Sequence, residues 1–168
     1  MFATETLILA QSVLTACRTR NLRLATAESC TGGLVAGALT AIAGSSDVVE
    51  RGFVTYSNEA KSELLGVPPE TIAAYGAVSA ETTAAMAVGA LARAPVDLAV
   101  SVTGIAGPGG ATPTKPVGLV LFGLARRGGS CRTEHHVFPG DRAAIRQAAL
   151  DLALRLIEAE ASLDRFIV

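Results

Sequence analysis

The sequence predicts an α/β fold: a three-layer α/β/α sandwich around a mixed, mostly parallel sheet. Three observations lead there. Helix-periodic segments alternate with short apolar runs in the order α, β, α, β, α, α, β, loop, β, β, α, a succession suited to helices layered on a sheet. The 168 residues are 50% hydrophobic and only 17% charged, enough for a real core and far from the composition of a disordered chain. Three Gly/Ser/Thr-rich segments, 26–33, 55–61 and 103–116, each follow an expected strand, where ligands of α/β sheets gather. No internal repeat or linker divides the chain, so residues 1–168 are expected to form one domain.

Thr4 to Arg20 reads as an amphipathic helix, with Leu7, Ala10, Val13, Leu14 and Cys17 on one face. Thr4 is placed to cap it, and Glu5 suits the positive end of the helix dipole. A short apolar strand, Leu22 to Ala25, precedes a turn, and a helix rich in Gly and Ala runs from about Gly32 to Ala41. Gly44 to Asp47 turns the chain into a strand from Val48 to Thr55, ending at Tyr56. Ser57 or Asn58 caps a short helix through Leu65, and Pro68 to Tyr75 makes another helical turn. Ser79 caps a helix to about Ala94. Asp97 to Val102 is a short buried strand, and Thr103 to Pro116 a loop rich in Gly, Pro and Thr. Val117 to Ala125 is apolar on both faces, as a strand covered on both sides must be. Cys131 to Phe138 alternates in polarity and reads as a more exposed hairpin partner. Asp141 caps a long final helix with Ile145, Ala148, Ala149, Leu152 and Leu156 as its core stripe.

Several function classes are disfavoured. The formal net charge is −1, and no basic run exceeds Arg126-Arg127, so the electrostatic footprint of a nucleic-acid binder is missing. Seven aromatic residues, Phe166 among them, offer no stacking platform for bases. Apolar runs are broken well short of a membrane span. Met1 to Ala10 has no basic segment and contains Glu5, which argues against a secretory leader and for the cytoplasm. Cys17, Cys30 and Cys131 are odd in number and far apart, which supports neither a zinc site nor a disulfide framework. His135 and His136 have no carboxylate or cysteine at ligand spacing, so no metal is expected.

The turn after the first strand, Thr26-Ala27-Glu28-Ser29-Cys30-Thr31-Gly32-Gly33, is the candidate centre. Ser29 is either a helix N-cap or, in a strand–turn–helix setting, a nucleophile for an acyl or amide carbon. Gly-x-Ser-x-Gly itself is absent. Cys30 reads as a small buried residue. Of 14 basic residues only Lys61 and Lys115 are lysines. Lys61 is either a solvated cation or a general base, because a helix N-terminus and burial both favour the neutral amine. Tyr56 either relays a proton or is an edge aromatic. Thr103-Gly104-Ile105-Ala106-Gly107 directly follows a buried strand. Backbone N–H groups there, or at residues 29–33, can cradle a phosphate or an oxyanion. Arg142 opens the last helix against the dipole unless it pairs with an anion. Lys115 either contacts a phosphate or is exposed.

Taken together, these segments resemble one family. The residues are 26–33, Tyr56-Ser57-Asn58 with Lys61 and Leu65-Gly66-Val67, Gly76-Ala77-Val78-Ser79, 102–110 with Lys115-Pro116-Val117-Gly118, and Gly140-Asp141-Arg142. Their content and order resemble the CinA C-terminal domain family, the nicotinamide-nucleotide amidases, over roughly Leu7 to Ile157. Ala111 stands where a third glycine is expected, and larger relatives carry an additional N-terminal domain. The resemblance implies hydrolysis of the carboxamide of nicotinamide mononucleotide, without metal or organic cofactor, in a protein that self-associates. It implies Ser29 as nucleophile, Lys61 as general base and Tyr56 as proton donor or positioning group. Thr103 and Gly104 hold the amide or substrate, with Thr31, Gly32, Gly33 and Gly107 in the binding turns, and Arg142 binds the phosphate. The cap role then passes from Ser29 to Thr31. Two rivals remain: a non-catalytic nucleotide-binding module of the same fold, and a DNA-associated factor suggested by the family's competence name.

Overall fold

The computed structural model describes residues 2–163; Met1 and residues 164–168, with Phe166 among them, lie outside the described residues. The elements are α1 (Thr4–Thr19), β1 (Leu24–Glu28), α2 (Leu34–Thr40), β2 (Val49–Val54), α3 (Asn58–Leu65), α4 (Pro69–Tyr75) and α5 (Ala80–Arg93). They continue with β3 (Leu98–Gly104), β4 (Leu119–Arg126), β5 (Cys131–Val137) and α6 (Arg142–Ser162). The five strands form one sheet in the order β2-β1-β3-β4-β5. β1 pairs in parallel with β2 and β3, while β4 is antiparallel to both β3 and β5. β4 therefore runs alone against the other four, and the sheet is mixed but mostly parallel, as the sequence implies.

Alternation along the strands assigns the two faces. Leu24, Val100, Val102, Val120, Phe122 and Leu124 join the main core with α1, α2 and α6. On the other face Ala27 and Ala99 meet Leu65, Ile72, Met86 and Ala90 from α3, α4 and α5. That second face is built from small residues, so α5 lies close to the sheet. Ser101 Oγ donates to the Thr83 carbonyl at 2.7 Å. A Cβ at Gly123 would come within 2.5 Å of Ser101 Oγ. Central β1 and β3 are almost wholly buried, and edge strands β2 and β5 are largely exposed.

Some boundaries differ from the sequence expectation. α1 starts with Ala3 as its N-cap and no side-chain cap bond; Thr4 is already helical, because Leu7 N–H donates to the Ala3 carbonyl. β1 runs on to Glu28, held between Val54 and Val102 of its neighbours. β3 takes in Thr103 and Gly104, because the ladder with β4 continues to Gly104 opposite Val120. The three parallel strands thus end side by side, and the segments after β1, β2 and β3 share one edge of the sheet. Among the described residues no helix is long and apolar enough to cross a membrane.

Candidate active site

Each segment reaches this edge for a local reason. Ser29 follows β1 directly, and its N–H donates to the Val102 carbonyl, so the ladder carries one residue past the strand. The turn that follows passes through Gly32 (φ +61°) and Gly33 (φ +95°), a left-handed pair that glycine adopts without strain. α2 begins only at Leu34, so Ser29 is not its cap. Neither is Thr31, whose Oγ1 is buried without a hydrogen-bond partner among the described residues. The cap is Glu28. Its wholly buried carboxylate accepts the N–H groups of Gly33 (3.0 Å), Val35 (3.1 Å) and Ala36 (2.9 Å), and Thr26 Oγ1 lies 3.3 Å away. Among the described residues no cation pairs with it, and a helix N-terminus is the natural partner for such a buried carboxylate. The sequence held a signal for this: Glu28 is the only charge between Leu24 and Ser46.

Ser57 is the N-cap of α3, with Oγ accepting from Ala60 N–H at 3.0 Å. Lys61 then sits in the first turn and reaches back under the end of β2. It is 1% exposed, and Nζ lies 3.1 Å from Ser29 Oγ. Nζ also donates to the carbonyls of Thr55 (2.9 Å), Tyr56 (3.3 Å) and Ser57 (3.3 Å). Burial pushes the lysine below its ordinary proton affinity. A neutral amine can still donate two hydrogens to these carbonyls and turn its lone pair to the serine hydroxyl. The Cys30 thiol is buried, which raises its pKa to about 12, so it is no thiolate.

Tyr56 meets Lys61 only through its carbonyl. The residue is 59% exposed, and its hydroxyl accepts from Arg142 Nη2 at 2.8 Å. Arg142 also donates to the Gly107 carbonyl at 3.0 Å, and Asp141 caps α6 just before it. Arg142 thus ties the segment after β2 to the loop after β3, with N–H groups to spare for an anion. Thr103 is buried and donates through Oγ1 to the Ala77 carbonyl at 3.0 Å. Gly104 is needed for packing, since a Cβ there would lie 2.7 Å from the Leu119 carbonyl oxygen.

A cavity of about 190 Å³ is lined by Ser29, Lys61, Tyr56, Thr103, Gly104 and Arg142. Cys30, Asn58, Ala77, Val78 and Ala106 complete its wall. The volume suits a ring-sized fragment, below the usual range for a whole drug-sized ligand. Thr31, Gly32 and Gly33 do not line it; they shape the turn beside it. Gly107 enters only through the carbonyl that holds Arg142. Among the described residues, no backbone carbonyl accepts from the N–H groups of Cys30 or Ala106, and both residues line the cavity. Lys115 donates to the Tyr75 carbonyl at 2.8 Å, outside this wall. His136 stacks on Phe138, and among the described residues no cluster of His, Cys, Asp or Glu is arranged to hold a metal.

Comparison with known proteins adds the context. The family model for the CinA C-terminal domain matches residues 7–161. The chain is 49% identical over 157 residues to the nicotinamide-nucleotide amidohydrolase PncC of Escherichia coli K12, covering 94% of this chain and 95% of that protein. It is 53% identical over 135 residues to a CinA-like protein of Akkermansia muciniphila, but spans only 33% of that protein's length. Among solved structures, the competence/damage inducible protein CihA from Agrobacterium tumefaciens superposes with a TM-score of 0.91 at 48% identity, covering 95% of this chain and 97% of that one. On the family match, the identities and the shared fold together, this chain belongs to the CinA C-terminal domain family.

Proposed function

We propose that this protein is an amidohydrolase that converts nicotinamide mononucleotide and water to nicotinic acid mononucleotide and ammonia. The observation that carries the reading is the buried Ser29–Lys61 pair, 3.1 Å apart at the wall of a ring-sized cavity. The similarity to PncC over nearly the whole chain supports the substrate class.

The chemistry follows from the groups present. Neutral Lys61 takes the Ser29 hydroxyl proton as Oγ attacks the carboxamide carbon. The developing oxyanion accepts from the Cys30 N–H, adjacent to the nucleophile, with the Ala106 N–H across the cavity as second donor. The C–N bond then breaks. The leaving nitrogen takes the proton from the Lys61 ammonium and departs as ammonia, leaving an ester on Ser29. Water attacks that ester, Lys61 takes its proton and returns it to Oγ, and the carboxylic acid leaves. Arg142, held by Tyr56 and Gly107, receives the phosphate from its place in the cavity wall. Tyr56 acts through Arg142 rather than through the lysine.

The test is ammonia release from nicotinamide mononucleotide by the pure protein. Release is expected, and it falls at least ~10⁴-fold in Ser29→Ala with an unchanged melting temperature. Substrate binding without release would establish the non-catalytic nucleotide-binding module in its place.

A further inference from the structure

Helix α6 reaches the site twice. Arg142 touches Tyr56 and Gly107, as described. Arg146, one turn further on the same helix face, donates Nε to the Cys30 carbonyl (3.0 Å) and Nη2 to the Thr31 carbonyl (2.9 Å). These are consecutive carbonyls of the turn that carries Ser29. Gly32, at φ +61°, takes the left-handed conformation that completes this turn, and a Cβ there would be in ordinary contact with Nη2 at 3.5 Å. Among the described residues Arg146 has no carboxylate within ion-pair distance, so its fork is committed to the backbone. The far side of the same turn is held by Glu28 through Gly33, Val35 and Ala36. A guanidinium therefore grips the carbonyls and a carboxylate grips the amides.

The consequence lies in the peptide planes. In a trans peptide the carbonyl and the following N–H point in opposite directions. Fixing the Cys30 carbonyl fixes the plane of the Cys30–Thr31 peptide, and with it the Cys30 Cα. The Gly32 N–H, bonded to the Ser29 carbonyl at 3.0 Å, fixes the preceding plane, which carries the Cys30 N–H. We propose that Arg146 is a positioning residue for the nucleophile: its bridge to Cys30 and Thr31 holds the turn so that Ser29 Oγ stays on Lys61 and the Cys30 N–H stays open to the cavity. The inference rests on the amidase reading above. A lysine cannot reproduce the bridge, because a point charge lacks the planar fork that meets two carbonyls at once.

The test compares wild type with Arg146→Ala, Arg146→Lys and, as contrast, Arg142→Ala, in the full chain. Arg146→Ala is expected to lower kcat about 100-fold, with KM for nicotinamide mononucleotide within about twofold, as for a reacting group displaced by about an ångström. Arg142→Ala raises KM instead. Guanidinium ion at millimolar concentration restores part of the kcat of Arg146→Ala, and Arg146→Lys, which keeps the charge and most of the packing, remains impaired. Amide exchange at Gly32 and Gly33 accelerates in Arg146→Ala while that of β1 and β3 does not. A kcat equal to wild type in both Arg146 variants, a loss carried by KM, or a loss matched by the fraction unfolded would overturn the proposal. If wild type itself releases no ammonia, the amidase reading fails. The positioning role then falls with it, and exchange judges only whether the bridge holds the turn: unchanged Gly32 and Gly33 protection sinks that as well, and faster exchange upholds the turn-holding alone.

Discussion

Lys61 is the residue whose chemistry depends most on its surroundings. In the unfolded chain it has its ordinary value of 10.5, and burial lowers it in the fold. Between the two values the unfolded chain binds the proton and the folded chain does not. Stability therefore rises as pH climbs through that window, and at lower pH the fold bears the full cost of a buried ammonium. On the proposed mechanism the same shift governs activity. With Lys61 as the neutral base, kcat/KM is expected to rise with pH, with the midpoint of the rise below the ordinary lysine value of 10.5. Lys61→Met keeps the length and apolar stem but removes the base; kcat falls about 10³-fold or more and the acid limb vanishes from the pH–rate profile. The serine and the lysine were both visible as candidates in the sequence, each with an ordinary structural alternative beside it. Their 3.1 Å separation was not, because they stand 32 positions apart in the sequence, with helix α2 and strand β2 between them.

The elements explain why that distance is held. α3 carries Lys61, and its C-terminal turn presses on α5 at Gly89. A Cβ there would lie 2.1 Å from the Leu65 carbonyl oxygen. Gly89→Ala is expected to destabilise the protein by about 3 kcal/mol as overpacking, read as a lower denaturant midpoint. Amide release should fall with it, because α3 must move. The caps of α3, α5 and α6, namely Ser57, Ser79 and Asp141, were legible, since a short polar side chain before an apolar period is a local signal. The cap of α2 was not. Glu28 reaches it from the preceding strand across five to eight residues, and a left-handed glycine pair makes the turn in between.

For the molecule as a whole, the cavity lies where three parallel strands end together; α6 adds Arg142 to its wall and holds the adjoining turn through Arg146. On the proposed reading the inner part of the cavity holds the ring and Arg142, in the cavity wall, holds the phosphate. Binding of nicotinic acid mononucleotide at one hundred times its Kd should stabilise the fold by about 2.7 kcal/mol, seen as a raised melting temperature. Nicotinic acid riboside at the same concentration, which lacks only the phosphate, should give a much smaller shift. Arg142→Ala should bring the two shifts together.

Periodicity, caps and the small-residue runs are local properties, and from them the α/β order, the mostly parallel sheet and the crevice beyond the strand ends followed directly. The ordered motifs carried the family. The tertiary structure decided what no local pattern encodes. It turned the Tyr56 hydroxyl to Arg142 instead of Lys61, placed Gly104 in a strand for packing, took Thr31, Gly32 and Gly33 out of the cavity wall, and brought in Glu28 and Arg146. Those outcomes depend on which backbone groups are left without partners when the layers close. A buried carbonyl or N–H takes the nearest side chain able to reach it, and reach is a property of the packed molecule.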